Sequence, residues 1–518
     1  MRVLPIGPRT LLVELLDLDE TLALFAALTT ADLPEIAEIV PAARTLMIRT
    51  APGVAADSSL ANRIAALQPA SGLRPKVEGG AVVEIPMSYD GADLADVADH
   101  LGLTVAEVIA AHQAANWQVA FCGFAPGFAY LNGDDPRFDL PRRAVPRTRI
   151  PAGSVALAAR FCGVYPQDMP GGWQIIGTTR LPMWDLARDP PAMLRPGLQV
   201  RFVEGHATVY PSVVPPPPPV DPALTLISSA FPVLFQDDGR PGLAQQGVSA
   251  SGALDHGALH LANRAVGNPA TAAALELTLG PVRLRAVAPV TLALTGAGRA
   301  QVAGQRIAPG APFAMDAGDE LVIDLPAAGM RSYLALRGGY ALAPVLGSCA
   351  TDTLARIGPD PLRPGASIGC AHRPAQATRA PEPQPALPKV GEVLVLPVTL
   401  GPRADWFPPD VLTRFLTQEW LVTPQSSRVG ARLEGAVPLF RPEARELASE
   451  GTETGAIQVP HSGQPVLFLA DHPLTGGYPV IATLLPSALD LAGQAPPGAL
   501  IRFSAAAPFA PLSVPRPQ

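Results

Sequence analysis

Lysine is almost absent from this chain: of 38 basic residues only Lys76 and Lys389 are lysines, and every other cation is an arginine. Both are followed by valine, so no G-x-x-x-x-G-K-[ST] phosphate loop exists, because that loop needs Ser or Thr beside the lysine to reach a metal. Neither lysine stands in a Met-Lys setting; any biotin used here has to arrive on another chain or domain, and a Schiff-base lysine has only these two candidates. Charge is scarce as well. Charged residues make up 16% of the chain and the net charge is −7, and an acidic balance without basic runs releases few counterions, which disfavours nucleic acid as a partner. The four cysteines, Cys122, Cys162, Cys349 and Cys370, lie far apart with no C-x-x-C, signalling neither a zinc knuckle nor a disulfide scaffold and leaving buried free thiols. No apolar run of about 18 residues spans a bilayer, and Met1-Arg2-Val3-Leu4-Pro5 lacks a signal peptide's layout. The expected setting is the cytoplasm, without a membrane partner.

Proline and glycine are plentiful instead. Pro 61 and Gly 47 in 518 residues favour many turns and short strands over long helices, and the length suggests about three or four domains of ~150 residues. Proline-rich stretches at 211–222, with an unbroken run at 215–219, and at 373–388 mark stiff seams. An ordered repeat joins the first half to the last third. Ile150-Pro151-Ala152-Gly153-Ser154, Gly171-Gly172-Trp173-Gln174-Ile175-Ile176-Gly177-Thr178 and Pro196-Gly197-Leu198-Gln199-Val200-Arg201-Phe202 come first. Val459-Pro460-His461-Ser462-Gly463, Gly476-Gly477-Tyr478-Pro479-Val480-Ile481-Ala482-Thr483 and Pro497-Gly498-Ala499-Leu500-Ile501-Arg502-Phe503 follow in the same order. Gly338-Gly339-Tyr340 is a weaker third copy, so two and by extension three related β barrels are expected. Helices are few. Thr104-Val105-Ala106-Glu107 is a capping box that starts a helix running to Asn116; two more are expected around 254–265 and 270–278, split by Gly267-Asn268-Pro269. In the first 80 residues, strands at 10–16 and 45–48 alternate with helices at 21–28 and 60–67, a small α+β unit.

Several residue groups carry chemistry in principle. Arg142, Arg143, Arg147 and Arg149 cluster between Gly/Pro-rich segments, and guanidinium forks match phosphate or carboxylate oxygens; the alternative is a solvated loop. His112 is a candidate general base, but its helical face is shared with Val105, Val108 and Ile109, the setting of a core histidine. His256 and His260 have metal-ligand spacing without the Glu of H-E-x-x-H, so no metal is expected. Ser249, Ser251, Asp255 and His256 contain triad residue types but no G-x-S-x-G elbow, and Ser251 and Asp255 read as turn and helix cap. Asp471-His472, where an apolar strand gives way to Thr475-Gly476-Gly477-Tyr478, is the strongest catalytic candidate; its alternative is an ordinary Asp-initiated turn.

Longer motifs then match known families. Residues 123–131 (Gly-Phe-Ala-Pro-Gly-Phe-Ala-Tyr-Leu), 141–147, 151–155 and 165–173 resemble the B subunit of 5-oxoprolinase, also called the Kip inhibitor or allophanate hydrolase subunit 1 family. Gln236-Asp237-Asp238-Gly239-Arg240-Pro241-Gly242, Ser251-Gly252-Ala253-Leu254-Asp255, Asn263 with Gly267-Asn268, residues 455–460 and Thr475-Gly476-Gly477-Tyr478-Pro479 resemble its companion, the C subunit of 5-oxoprolinase, or Kip antagonist or allophanate hydrolase subunit 2 family.

This resemblance implies a mainly β chain with a small α+β N-terminal domain and tandem cyclophilin-like β-barrels. The expected boundaries are 1–84 for the α+β domain, 85–210 for its barrel, 211–223 for the linker, and 224–385 and 386–510 for two further barrels. It implies ATP-dependent opening of the lactam of 5-oxoproline to L-glutamate, with ATP and magnesium, a small-molecule lactam as substrate and a partner resembling the A subunit of 5-oxoprolinase; homo-oligomerisation is left open. Phosphorylating the amide oxygen turns a poor electrophile into an activated imidate that water attacks, with arginines and backbone amides stabilising the transfer. Asp471, His472 and His112 are the catalytic candidates. Arg142, Arg143, Arg147, Ser154, Gly171, Gly172, Trp173, Gln236, Asp237, Arg240, Ser251, Asp255, Arg428, Arg432, Gln458, Thr475, Gly476, Gly477 and Tyr478 are the expected substrate- or phosphate-binding set. The sequence departs from the family pattern at Ser427, Val429, Cys349 and at Asp471-His472-Pro473-Leu474; if the arginine common at the Cys349 position binds substrate in relatives, that departure points to another lactam or amide. The same modules resemble the carboxyltransferase part of urea carboxylase, so transfer from a biotin carried by another chain to an amide such as urea is the alternative. A sensor-kinase-binding regulator is the second.

Overall fold

The computed structural model describes residues 1–31, 33–67, 82–205, 221–442 and 447–512; residues 211–220 of the first proline seam lie outside these. The chain is mainly β. No helix among the described residues is long and apolar enough to cross a membrane.

The N-terminal unit is a four-stranded antiparallel sheet in the spatial order Arg2–Gly7, Thr10–Glu14, Thr45–Thr50, Ile36–Pro41. Its strands read as continuous apolar runs because both faces are covered. Val3, Leu11, Val13, Leu46 and Ile48 pack under helices Leu18–Ala31 and Ser58–Ala66. Leu4, Ile6, Leu12, Val40 and Met47 face the distant Ala244, Leu474 and Phe509. The unit therefore docks on the far end of the chain, where Val3 bridges Leu512 and Arg49 and Thr10 both reach Glu453.

The first barrel is a seven-stranded sheet ordered Gln174–Thr178, Ser154–Ala158, Phe161–Val164, Ala129–Asn132, Trp117–Cys122, Gln199–Glu204, Val82–Met87. Its last pair is parallel, and a Ser88–Thr178 bridge with two 2.8 Å N–H···O bonds nearly closes it. The last barrel is closed, in the order Val393–Leu400, Val480–Leu484, Ala456–Gln458, Val466–Phe468, Gly430–Glu434, Trp420–Val422, Leu500–Ala505. Walked from the parallel pair, the two orders are the same. Both ladders slip at the same point, between Ile175 and Gly177 and between Ile457 and Gln458 opposite Val480. Both place a tryptophan whose indole N–H donates to the carbonyl five residues back: Trp117 to His112 at 3.0 Å and Trp420 to Phe415 at 3.1 Å.

The second and third repeated segments occupy equivalent strands, Thr178 matching Thr483 and Phe202 matching Phe503. The first is out of register. The counterpart of Ser154 is Ala456, each preceded by a glycine at φ +81° or +86°, so Ile150-Pro151 and Val459-Pro460 lie on opposite sides of their strands. Gly338 and Gly339 both hold positive φ, unlike Gly171-Gly172 and Gly476-Gly477; they form a turn and are not a third copy of that element.

Between the barrels, the middle strands divide into a six-stranded and a five-stranded sheet that share one core. Helix His256–Ala265 forms as expected, with Asp255 accepting the Ala258 N–H at 2.8 Å. The helix expected at 270–278 is instead strand Ala274–Thr278: Leu275 and Leu277 alternate into the core, and a strand of period two satisfies them where a helix would not. The capping box is present and its helix is Val105–Ala114, with Val108 and His112 buried and Val105 exposed. All four cysteines are free, Cys122 and Cys162 buried and Cys349 and Cys370 partly exposed.

Candidate functional site

A cleft of about 570 Å³ opens where the N-terminal unit, the middle sheets and the last barrel meet. Arg9, Glu38 and Arg49 line it from the first, Asp238, Ser249, Ser251 and His256 from the second, and Glu453 and His472 from the third. Arg49 is neutralised by Glu38 and Glu453. Arg9 is different: among the described residues its only acceptor is the Thr50 carbonyl at 2.6 Å, and its Nε is buried without a partner there. One cation in the cleft thus has donors to spare.

Asp471 and His472 part company. Asp471 is fully buried and accepts five hydrogen bonds: Ser251 Oγ at 2.6 Å, Thr353 N and Oγ1 at 2.9 and 2.7 Å, and Arg428 Nε and Nη2 at 3.0 and 2.9 Å. Burial alone would raise its pKa, but the Arg428 guanidinium and the hydrogen bonds hold it below the ordinary carboxylate value. Arg428 also reaches Glu276 at 2.5 Å, whose other oxygen accepts from Tyr333 at 2.7 Å. Glu276 and Ser251 belong to the middle region and Arg428 and Asp471 to the last barrel, so this network bolts the two together. No lone pair of Asp471 is left for a substrate. His472, one residue on, sits on the cleft wall, stacked on Phe468. Its Nδ1–H donates to the Pro473 carbonyl at 2.9 Å, with Thr452 Oγ1 at 3.2 Å, which fixes the tautomer and leaves the Nε2 lone pair available. Burial lowers its pKa, so the ring is neutral.

The other expected residues scatter. His112 lies in the interior of the first barrel, bonded through Nδ1 to Tyr89 at 2.9 Å and ringed by Trp117, Phe138 and Phe202; burial lowers its pKa to about 3. It occupies the place of Phe415 in the last barrel and is a core aromatic. Of the clustered arginines, Arg143 and Arg147 both bind the buried Asp93 and Arg149 binds Asp168; only Arg142 is without an ion pair among the described residues. Ser154 is buried in its strand, Gly171 pairs with Arg147, Gly172 accepts the Arg143 N–H, and Trp173 packs edge-on against Phe128 and Tyr130. Asp237 stiffens a turn by accepting from Gly239 N, Ser348 Oγ and Cys349 N. Arg240 is buried on the Ala350 carbonyl with Nε and Nη1 unpartnered, as is Gln236 Oε1. Nearby Asp352 is pushed up to about 6 by burial and by the charge of Asp471.

In the last barrel, Thr475 Oγ1 accepts the Phe124 N–H at 3.0 Å and ties this barrel to the first. Gly476 pairs with Glu450, and Gly477 approaches the Leu447 carbonyl. Gln458 donates to the Tyr478 carbonyl at 3.0 Å, Tyr478 is half-exposed against His461, and Arg432 faces solvent. Within the expected set, then, only Ser251 and His472 reach the cleft. Arg9, Arg49 and Glu453 were missed because they lie in segments without motif character, brought together only by docking of the N-terminal unit.

Family models agree with this assembly. The model for the carboxyltransferase domain, subdomain C and D, matches residues 1–194, and that for subdomain A and B matches residues 246–505. The chain belongs to the carboxyltransferase-domain family. Among curated members, the C subunit of 5-oxoprolinase from Escherichia coli K12 is 38% identical over 286 residues, covering 54% of this chain and 90% of that protein. The B subunit of 5-oxoprolinase from Escherichia coli O157:H7 is 41% identical over 181 residues, covering 33% of this chain and 79% of that protein. Urea amidolyase of Lachancea kluyveri is 32% identical over 302 residues, 53% of this chain but 16% of that protein. A solved structure named TTHA0988 is 34% identical with a TM-score of 0.83, covering 96% of this chain and 99% of that one. The 5-oxoprolinase and urea amidolyase relatives are enzyme components, and the chain is one too.

Proposed function

We propose that this chain is the fused B and C component of an ATP-dependent 5-oxoprolinase, opening the lactam of 5-oxoproline to L-glutamate together with a separate A component. The observation that carries the reading is the match of successive parts of one chain to relatives named as the B and C subunits of 5-oxoprolinase. The cleft chemistry is compatible with it. Arg9, which lines the cleft and makes one hydrogen bond among the described residues, suits a carboxylate or phosphoryl oxygen, and the neutral His472 is the cleft's candidate base for attacking water. ATP with magnesium would supply the phosphoryl group; with no lysine phosphate loop, what this chain would offer toward it in the cleft is Arg9.

The test is ATP-dependent glutamate formation from 5-oxoproline by the purified chain with and without its matching A component. Glutamate that requires chain, ATP and A component together is the expected result. A complete, folded set that forms none overturns it. Carboxyl transfer to urea or a related amide is the second reading, favoured by the family's description and by the urea amidolyase relative. Its biotin would arrive on another chain, and turnover of a carboxybiotin carrier without lactam opening would establish it. If both reactions fail while a sensor kinase is bound, the chain is a regulator.

A further inference from the structure

Three side chains of metal-ligating type converge at the rim of the cleft. His256 and His260 project from successive turns of helix His256–Ala265, and Asp238 comes from the turn that follows strand Val233–Gln236. His256 Nδ1 and His260 Nε2 lie 3.2 and 2.7 Å from one and the same oxygen, Asp238 Oδ1, and all three ligand atoms fall within 4.8 Å of one another. Two ligands on one ion at about 2.1 Å stand roughly 3.0–3.4 Å apart, close to the two distances from Asp238 Oδ1, so the carboxylate and the two imidazoles are within reach of a shared ion.

The supports are rigid. Asp490 accepts the His256 and Gly257 N–H groups at 2.9 and 3.0 Å and Asp255 caps the same helix. The Asp238 turn is pinned by the Asp237 carboxylate and by Arg240 N donating to the Ala250 carbonyl at 2.7 Å. Such pre-positioning lowers the entropy of chelation.

We infer that Asp238, His256 and His260 form a site for a divalent transition ion of the zinc or nickel class, bound by two imidazoles and one carboxylate. Two nitrogens and one oxygen favour these ions over magnesium or calcium, which take oxygen shells. Three protein ligands leave coordination positions open. Asp238 and His256 also line the cleft, so an anionic group of a cleft occupant can complete the shell. The inference is independent of which reaction the chain catalyses.

The test uses the full chain, stripped with chelator and titrated with cobalt(II) under visible absorption, then challenged with zinc. About one ion per chain is expected, with a melting temperature that rises on binding. His260→Ala and Asp238→Asn should each weaken binding at least about tenfold while leaving the metal-free melting temperature near that of the parent, because the side chains are partly exposed. His260→Gln guards against a packing defect and His100→Ala, on another helix, should bind as the parent does. Absence of saturable binding, or equal affinity in the parent, His260→Ala and Asp238→Asn, overturns the inference.

Discussion

The first and last barrels run the same strand order with the same slip and the same tryptophan hydrogen bond, yet they carry opposite charges at the same point. Asp93 donates its N–H to the Ile175 carbonyl and Arg403 donates its N–H to that of Val480, both at 2.9 Å, at matching rungs. Opposite them, Arg147 pairs with Gly171 and Glu450 with Gly476 in matching two-stranded ribbons. One barrel thus buries a carboxylate held by an arginine, the other an arginine held by a carboxylate. Backbone ladder and core set the fold; the polarity of a buried pair can invert provided both members are present. The inversion also has a consequence for assembly. Asp93 takes its second partner, Arg143, from its own barrel's rim, whereas Arg403 reaches out to Glu14 at 2.7 Å and fastens the N-terminal unit.

The largest effect is therefore expected at Arg403. Arg403→Ala strands Glu450 in a buried site and frees Glu14, and should cost about 3–5 kcal/mol in denaturant unfolding. Arg147→Ala leaves Arg143 on Asp93 and should cost roughly 1–2 kcal/mol; equal losses would break the comparison. Asp471→Asn comes next. It removes a charge that accepts five hydrogen bonds and should cost about 2–3 kcal/mol, loosening the contact between middle sheets and last barrel as read by amide exchange around residues 251 and 353.

The smallest effect is expected at His112, which stands where the last barrel has Phe415. His112→Phe should change stability at neutral pH by less than about 1.5 kcal/mol. Its signature is in acid. Burial holds the folded His112 pKa at about 3 against an ordinary 6.5, so the unfolded chain binds a proton that the folded one refuses. The stability this residue contributes is present above pH 6.5 and is lost as pH falls from there toward 3. His112→Phe should flatten that window; an unchanged pH profile would show that the ring titrates normally.

Local signals were legible in the sequence. The capping box at Thr104, the Asp255 cap, two of three repeated segments and both apolar N-terminal strands follow from hydrogen-bonding capacity and periodicity. Register was not. Ile150-Pro151 and Val459-Pro460 match by residue type but flank opposite ends of their strands, because Gly153 and Gly455, both at positive φ, set the true alignment. At 270–278, a proline after an expected helix stop suggested another helix, and the two-residue alternation of Leu275 and Leu277 decided otherwise. The site was legible only in fragments. Arg143, Arg147 and Asp471 look available in the sequence but are consumed by Asp93 and Arg428, residues 50, 54 and 43 positions away. Arg9 and Glu453, over 400 residues apart, have no shared pattern to betray their meeting, and Asp238 belongs to a motif separate from the histidines it joins.

The central claim is that chemistry resides in the three-way cleft and not inside a barrel. Glutamate formation from 5-oxoproline by the reconstituted enzyme, compared among the parent chain, Arg9→Ala, His472→Gln and His112→Phe, tests it most directly. Arg9→Ala and His472→Gln should each lower kcat/KM by about 10²-fold or more in protein that remains folded at the assay temperature, while His112→Phe stays near the parent. Full activity in both cleft variants, with loss confined to His112→Phe, would contradict it.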